Sequence, residues 1–188
     1  MKEKKNVPQE FDVLKELIQD EPVQYIDIPM YLNIGDHLIA HGTIEFLRRY
    51  QIQTTHISEL NFYPVDWLDS TNVVLFSGGG NFGDVYEKLH KLRKNLISRV
   101  KNKRIVILPQ SIHYRKRENF VNDVDFFKSC GDVHICVRDS ASLELAQDLS
   151  RNVYLLPDMA HNLANKSVFR NKIHSPPPKI FNAKFFTI

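Results

Sequence analysis

The sequence predicts an α/β fold in which a parallel sheet is covered by helices on both faces. Short apolar runs rich in β-branched residues alternate along the chain with longer segments of helical period, which is the pattern of such a sheet. A length of 188 residues suits one well-buried domain rather than two. Hydrophobic residues make up 43% and charged residues 25%, an ordinary composition that argues against disorder. We therefore expect one Rossmann-like, doubly wound parallel sheet.

The predicted elements follow one another in regular order. Strands are expected at 23–28, 54–58, 72–76, 104–108, 133–137 and 153–156. Helices are expected at 36–50, 83–101, 117–129 and 139–149, with a short turn around 64–69. The domain is assigned to residues 21–165, with an N-terminal extension, 1–20, before it. A truncated linker or tail, 166–188, follows, and its segment FNAKFF is a candidate for one more strand.

A glycine-rich segment, SGGGNFGDVY at 77–86, follows the third predicted strand. A match to the dinucleotide pattern G-x-G-x-x-G is formed by Gly78, Gly80 and Gly83. A dinucleotide site also needs an acidic residue about 20 residues further on, at the end of the next strand. That strand ends in Pro109 and Gln110, and no Gly-Lys-Ser/Thr sequence follows the glycines, so neither a dinucleotide nor an ATP loop is expected. The simplest alternative is tight strand-to-helix packing, with Asp84 starting the helix.

Composition excludes several classes of function. A formal charge of +3 falls well short of a dedicated nucleic-acid-binding domain, so no nucleic-acid partner is expected. No apolar run approaches the roughly 18 residues of a membrane span, and no apolar segment follows the basic start, so we predict a cytoplasmic location.

Cys130 and Cys136 form no CxxC pair and are expected to be reduced. No HExxH motif occurs, and we expect no protein-bound metal.

The basic residues from Lys88 to Arg104, with RKR at 115–117, allow two interpretations. Such a cluster is more often a solvated face than a binding surface. It could also hold the protein near the anionic inner face of a membrane, which would matter for a lipid-linked substrate.

Polar residues follow the predicted strands at their carboxyl ends, where ligands bind in open α/β sheets. Asn33 and Asp36 follow the first strand, and Asp36 is expected either to cap the next helix or to accept a proton at the cleft rim. Arg138 follows the fifth strand and suits a two-pronged grip on a carboxylate or phosphate, with a surface ion pair as the alternative. His113 follows the fourth strand and is favoured for proton transfer, because histidine titrates near neutrality.

Five motifs occur in order along the chain: NIGDHLI at 33–39, GGGNFGD at 78–84, PQSIHY at 109–114, RDSASLE at 138–144 and LLPDMA at 155–160. Together they resemble the polysaccharide pyruvyl transferase family, especially members from bacterial exopolysaccharide and capsule gene clusters. The resemblance spans about residues 22–163. No single motif carries it, but five in the right order and spacing are fairly specific.

The resemblance implies a GT-B-like enzyme, of which this chain is equivalent to the N-terminal Rossmann-like half. Such enzymes transfer a pyruvyl group from phosphoenolpyruvate, with no other cofactor, to two hydroxyls of a sugar, giving a cyclic ketal. The sugar is usually part of a lipid-linked or polymer repeat unit, which implies a sugar acceptor as partner and peripheral membrane contact. Because no second domain follows, we expect a chain that is inactive by itself or that pairs with a separately encoded C-terminal half.

The resemblance also implies roles for individual residues. Asp36 and His113 would handle protons, and Arg138 would supply positive charge. The acceptor cleft would be lined by Asn33, Gly79, Gly80, Asn81, Asp84, Gln110 and Ser111. Two other functions stay open on the sequence: a non-catalytic sugar-binding accessory half-domain, and a GT-B glycosyltransferase that uses a sugar nucleotide.

Overall fold

The computed structural model describes residues 11–64, 67 and 71–163 of the chain. The strands are β1 (Val23–Ile26), β2 (Thr54–Ser58), β3 (Val73–Phe76), β4 (Gly79–Gly83), β5 (Arg104–His113), β6 (Val133–Val137) and β7 (Asn152–Leu155). The helices are α1 (Asp12–Ile18), α2 (Ile34–Arg49), α3 (Glu87–Arg99), α4 (Arg117–Ser129) and α5 (Ser140–Leu149), followed by a 3-10 helix, Met159–Leu163. In this part of the chain, none of the helices is both long and apolar enough to cross a bilayer.

The strands form one parallel sheet with the order β2-β1-β3-β5-β6-β7, and β4 pairs with the outer end of β5. The strand order reverses between β1 and β3, because β2 lies on one side of β1 and the later strands lie on the other. In an open α/β sheet a crevice opens at such a reversal, outside the carboxyl ends of the strands. The topology therefore marks the ends of β1 and β3 as the place for a ligand.

Two apolar cores lie on opposite faces of the sheet, because successive side chains of a strand point to opposite sides. In β3, Val74 and Phe76 belong to the core that α3, α4 and α5 cover. Val73 and Leu75 belong to the other core, which α1 and α2 cover. Helices thus pack on both faces, and the predicted Rossmann-like, doubly wound α/β fold is confirmed.

Helix α1 is not predicted by the sequence analysis, which treats residues 1–20 as an extension. Its residues Leu14 and Ile18, with Phe11 at the N-cap, are fully buried in the core shared with α2. The helix has only seven residues, about two turns, which is too short for a clear periodic signal in the sequence. Residues 11–18 therefore pack on the sheet as part of the folded unit.

The candidate strand FNAKFF and most of the predicted turn at 64–69 lie outside the described residues. The division into an extension, a domain and a tail stays a prediction.

The glycine-rich segment forms strand β4, whereas the sequence analysis treats it as a loop, and β5 continues to His113 instead of ending at residue 108. The two segments pair with each other, Gly79 opposite Gln110 and Gly83 opposite His113. Pro109 has no backbone N–H to donate, and it lies where β5 stops pairing with β3 and begins to pair with β4. The pairing of β5 with β6 is also irregular at this point, so the proline is tolerated inside the strand. Glycine and proline are depleted in strands, which is why local propensity does not predict this pairing.

Candidate functional site

A cavity of about 480 Å³ opens at the carboxyl ends of β1 and β3, where the strand order reverses. Its lining consists of Tyr31, Asn33, Gly35, Asp36, Ile39, Gly80, Asn81, Tyr86, Leu89 and Arg138. The structure thus brings together five of the predicted site residues: Asn33, Asp36, Gly80, Asn81 and Arg138. A second cavity, of about 430 Å³, lies near the amino ends of β6 and β7 and contains no predicted site residue.

Asn33, and not Asp36, is the N-cap of α2. Its Oδ1 accepts hydrogen bonds from the backbone N–H groups of Gly35 at 3.0 Å and Asp36 at 3.4 Å. The expectation that Asp36 caps the helix is therefore wrong, because Asp36 lies in the first turn. Its carboxylate lines the cavity instead, with Oδ1 located 3.4 Å from the position that a Cβ on Gly79 would occupy.

Tyr31 is a site residue that the sequence analysis does not identify. Its hydroxyl donates a hydrogen bond to Asp36 Oδ2 at 2.9 Å. Partial burial and this bond to a carboxylate raise the pKa of Tyr31, so its hydroxyl stays protonated and remains a donor. Tyr31 therefore fixes one oxygen of Asp36 and leaves the other for a ligand. It lies just outside the NIGD motif, and no periodic pattern marks it.

Arg138 is held by two partners and presents its third nitrogen to the cavity. Its Nε donates to Ser111 Oγ at 2.8 Å, and its Nη1 pairs with Asp158 Oδ2 at 2.5 Å. The remaining Nη2 lies 3.5 Å from the position of a Cβ on Gly80, so this glycine leaves the guanidinium edge accessible. The ion pair expected as an alternative is therefore present, and it leaves Nη2 available for an anionic ligand.

Ser111, Gln110 and Gly79 lie behind the cavity lining. Ser111 donates to Asp139 Oδ2 at 2.8 Å, and Asp139 caps α5 by accepting from Ser142 N–H at 2.8 Å. Gln110 is buried, and its Nε2 donates to the Ser77 carbonyl at 2.5 Å, which ties β5 to the end of β3. These residues support the side chains at the cavity, and direct contact with a substrate stays a prediction.

Asp84 and His113 lie beside each other, outside the lining of the cavity. Asp84 N–H donates to the His113 carbonyl at 3.1 Å. The Asp84 carboxylate accepts from the N–H groups of Arg115 at 2.6 Å and Lys116 at 2.9 Å, and from Asn119 Nδ2 at 3.0 Å. Burial opposes ionisation of Asp84, but these hydrogen bonds outweigh it and lower its pKa. The His113 side chain is exposed, and the roles predicted for both residues stay predictions.

Arg93 does not lie on a solvated basic face, contrary to the first interpretation of the basic residues. It is fully buried, and its Nη2 donates to Asn81 Oδ1 and to Asp27 Oδ2, each at 2.5 Å. Helical periodicity places Arg93 among lysines, and only the tertiary structure shows that it passes behind Asn81.

His37 and His41 on α2 have HxxxH spacing, which the sequence analysis overlooks and which occurs at some metal sites. Both are exposed, and His37 Nε2 lies 2.8 Å from the Tyr31 carbonyl oxygen. Among the described residues, no group of three or more His, Cys, Asp or Glu side chains is arranged to hold a metal ion.

Comparisons with known proteins agree with the resemblance in the motifs. A family model described as "Polysaccharide pyruvyl transferase" matches residues 33–185. The protein named "Putative pyruvyl transferase EpsO" from Bacillus subtilis is 35% identical over 142 residues, which cover 74% of this chain and 44% of that protein. "Pyruvyl transferase 1" from Schizosaccharomyces pombe is 26% identical over 149 residues, which cover 73% and 37%, respectively.

The crystal structure of a functionally uncharacterised protein from Klebsiella pneumoniae is similar in fold. It matches with a TM-score of 0.59 and 25% identity, over 86% of this chain and 58% of that one. The chain spans less than half the length of the curated relatives that it matches.

Proposed function

The chain belongs to the polysaccharide pyruvyl transferase family, and from this premise we propose that its cavity holds the sugar acceptor of a transfer from phosphoenolpyruvate. Two hydroxyls of the sugar receive the pyruvyl group as a cyclic ketal, and inorganic phosphate leaves. The chain covers 44% of EpsO, so we assign it the acceptor side of the enzyme rather than the whole active site.

The observation that carries this proposal is that Asp36 and Arg138 line one cavity at the reversal of the strand order. A carboxylate with one oxygen left for a ligand can accept the proton of an attacking hydroxyl. A guanidinium nitrogen facing the same space can neutralise a carboxylate or a departing phosphate. The pair supplies the two kinds of group that the transfer needs.

The protons and charges that move in the reaction give a role to each of these two residues. The methylene carbon of phosphoenolpyruvate takes up one proton and becomes a methyl group. One sugar hydroxyl adds to C2, the C2–O bond to phosphate breaks, and the second hydroxyl adds to the same carbon. The two hydroxyls release two protons, of which one replaces the proton used at the methylene carbon and the other leaves with phosphate. Asp36 is the base for one hydroxyl, and Arg138 stabilises the developing negative charge.

The acceptor belongs to an exopolysaccharide or capsule repeat unit that is linked to a lipid, and the protein works at the cytoplasmic face of the membrane. The exposed basic residues of α3, which are Lys88, Lys91 and Arg99, provide a surface for anionic headgroups. Sedimentation of the protein with vesicles that contain phosphatidylglycerol, but not with neutral vesicles, tests this location.

Phosphate release tests the transfer. The purified chain is mixed with phosphoenolpyruvate and a panel of methyl hexosides, alone and with the separately expressed C-terminal part of EpsO. We expect sugar-dependent phosphate release with the added half, and a loss of roughly 100-fold or more in Asp36→Asn. Asp148→Asn makes the same change at an exposed position and should have no effect. Wild-type rates that do not depend on the sugar would contradict the proposal.

A second candidate is a sugar-binding accessory half-domain without catalysis, because a fold by itself does not fix a chemical activity. A rise in Tm with added hexoside, without phosphate release under either condition, would identify this function.

A further inference from the structure

Arg93 is an unusual residue to find in a protein core. Its side chain is fully buried, and its Nη2 is shared between Asp27 Oδ2 and Asn81 Oδ1. Within the described residues, Nε and Nη1 are buried without a hydrogen-bond partner. A buried ion pair with unsatisfied donors is weak evidence for stability, because an apolar pair of similar volume often serves as well. The position of the guanidinium therefore suggests a role beyond packing.

The contact with Arg93 determines which end of the Asn81 amide faces the cavity. A guanidinium has five N–H donors and no acceptor, so only the amide oxygen can face it. The amide NH₂ group must then point away from Arg93. Asn81 lines the cavity, and no hydrogen bond from its Nδ2 occurs among the described residues. The contact with Arg93 therefore leaves the NH₂ group of Asn81 as a hydrogen-bond donor on the cavity wall.

Asp27 completes this arrangement from the end of β1. It is buried and has a φ of 71°, a left-handed conformation that is uncommon for a residue other than glycine. Burial raises the pKa of Asp27, and the charge of Arg93 opposes this shift. The three residues come from three different elements, Asp27 from the end of β1, Asn81 from β4 and Arg93 from α3. The amide of Asn81 is therefore held by a preformed, buried framework.

We propose that Arg93 is a positioning residue which holds the Asn81 amide with its NH₂ group toward the cavity, where it donates to a hydroxyl oxygen of the sugar acceptor. This inference rests on the proposed function, and it adds a specific polar contact to it. Asp36 accepts from one hydroxyl and Asn81 donates to another, so the cavity matches the donor and acceptor character of neighbouring hydroxyls on a neutral sugar. A ligand group without a lone pair at that position would leave the amide unsatisfied.

Asn81→Asp is the sharpest test, because it keeps an oxygen for Arg93 but replaces the NH₂ donor with a second acceptor. The probe is the panel of methyl hexosides, with Kd measured by ligand-observed NMR. We expect binding of the hexosides to weaken about tenfold or more, and the Tm is measured beside it to show that the variant is folded. Asn95→Asp makes the same change at an exposed position of α3 and should leave both values unchanged.

The double variant Asp27→Asn with Arg93→Met tests the positioning role itself. It removes the ion pair without leaving a buried charge, and it allows the side-chain amide of Asn81 to flip, so that either its oxygen or its NH₂ group can face the cavity. We expect weaker hexoside binding in protein that is still folded by circular dichroism. In wild type, the side-chain NH₂ signals of Asn81, assigned by their loss in Asn81→Asp, should shift on addition of hexoside. A merely structural Arg93 would lower the Tm of the double variant and leave its affinity for the hexosides unchanged.

The outcomes separate this inference from the proposed function. If hexosides bind and Asn81→Asp weakens them, but phosphoenolpyruvate is never turned over, the inference stands and the transferase proposal fails. If phosphate is released and Asn81→Asp changes neither Kd nor KM for the sugar, the inference is overturned and the transferase proposal stands. A wild-type protein that binds none of the hexosides would also overturn the inference, since it requires a sugar oxygen at Asn81.

Discussion

The Nδ1 atom of His90 accepts a hydrogen bond from the backbone N–H of Gly83 at 3.2 Å. On the opposite side of the ring, His90 Nε2 lies 2.5 Å from Asp123 Oδ2. Because Nδ1 is an acceptor, Nε2 must carry the proton and donate it to the carboxylate. The buried, neutral ring thus joins β4 to α3 and α4, and it supports the strand that presents Asn81 to the cavity.

Stability should fall in mild acid because of His90. Burial lowers the pKa of His90. In addition, a second proton on Nδ1 would displace the hydrogen bond that Nδ1 accepts from the N–H of Gly83. The unfolded chain takes up this proton below the ordinary histidine value of about 6.5. The stabilising contribution is therefore complete above that pH and is lost as the pH falls below it, with a slope of at most about 1.4 kcal/mol per pH unit.

Urea unfolding of wild type and His90→Gln between pH 8 and pH 5 measures this effect. We expect a flatter pH dependence in the variant, whatever its stability at pH 8. Part of the slope should remain, because burial also lowers the pKa of His134. Equal slopes in the two proteins would show that folding does not shift the pKa of His90, and would contradict this prediction.

Asp123 should extend the acid sensitivity to lower pH. Burial opposes its ionisation, but hydrogen bonds from His90, Lys94 and Tyr114 hold its pKa below the ordinary range. A lowered carboxyl pKa stabilises the fold above the unfolded value and is lost as the pH falls through the folded one. Asp123→Asn should therefore lose stability at neutral pH and differ less from wild type at pH 3. A constant difference across this range would contradict the assignment.

Gly83→Ala should destabilise the fold by roughly 2–5 kcal/mol, through backbone strain and overlap together. Gly83 has a φ of 104°, and a Cβ there would overlap the carbonyl oxygen of His113 on the paired strand. Gly131→Ala is the matched control, because its Cβ would meet the Lys101 carbonyl oxygen at an ordinary 3.6 Å. The free energies of unfolding of the two variants give the comparison, and equal values would mean that β4 does not pair with β5 as described.

Asp84→Ala distinguishes a structural role from the substrate contact that the motifs imply. The carboxylate accepts from the N–H groups of Arg115 and Lys116 just before α4, and because these bonds are exposed to solvent its loss should cost about 0.5–1.5 kcal/mol of unfolding free energy. Hexoside affinity of the folded protein should be unchanged. Asp125→Ala, an exposed change on α4, serves as the control. Weaker sugar binding at unchanged stability would instead favour the role implied by the motifs.

Arg138→Lys should reduce phosphate release roughly 100-fold, measured under the conditions that give sugar-dependent release in wild type. Lysine keeps the charge but cannot bond Ser111, Asp158 and a ligand through three separate nitrogens. Arg151→Lys repeats the substitution at an exposed position and should have no effect. An equally active Arg138→Lys protein would exclude a role for the guanidinium geometry.

Sequence patterns predict the elements well where the signal is local. Alternating apolar runs indicate the six main strands because burial on both faces requires them. The same reasoning fails for β4 and for the end of β5, since these glycine- and proline-containing strands exist only by pairing with each other. It also misplaces the cap of α2, where two residues of the same NIGD motif could both serve.

By itself, the sequence determined the α/β class, the order of the elements and the family resemblance, because these depend on local periodicity and on motifs that are contiguous in the chain. Only the tertiary structure decided which polar side chains meet. Arg93 reaches Asp27 across 66 positions of sequence, and His113, chosen for its chemistry, is exposed outside the cavity lining. Such contacts depend on how separate elements pack, and no local pattern of residues encodes that packing.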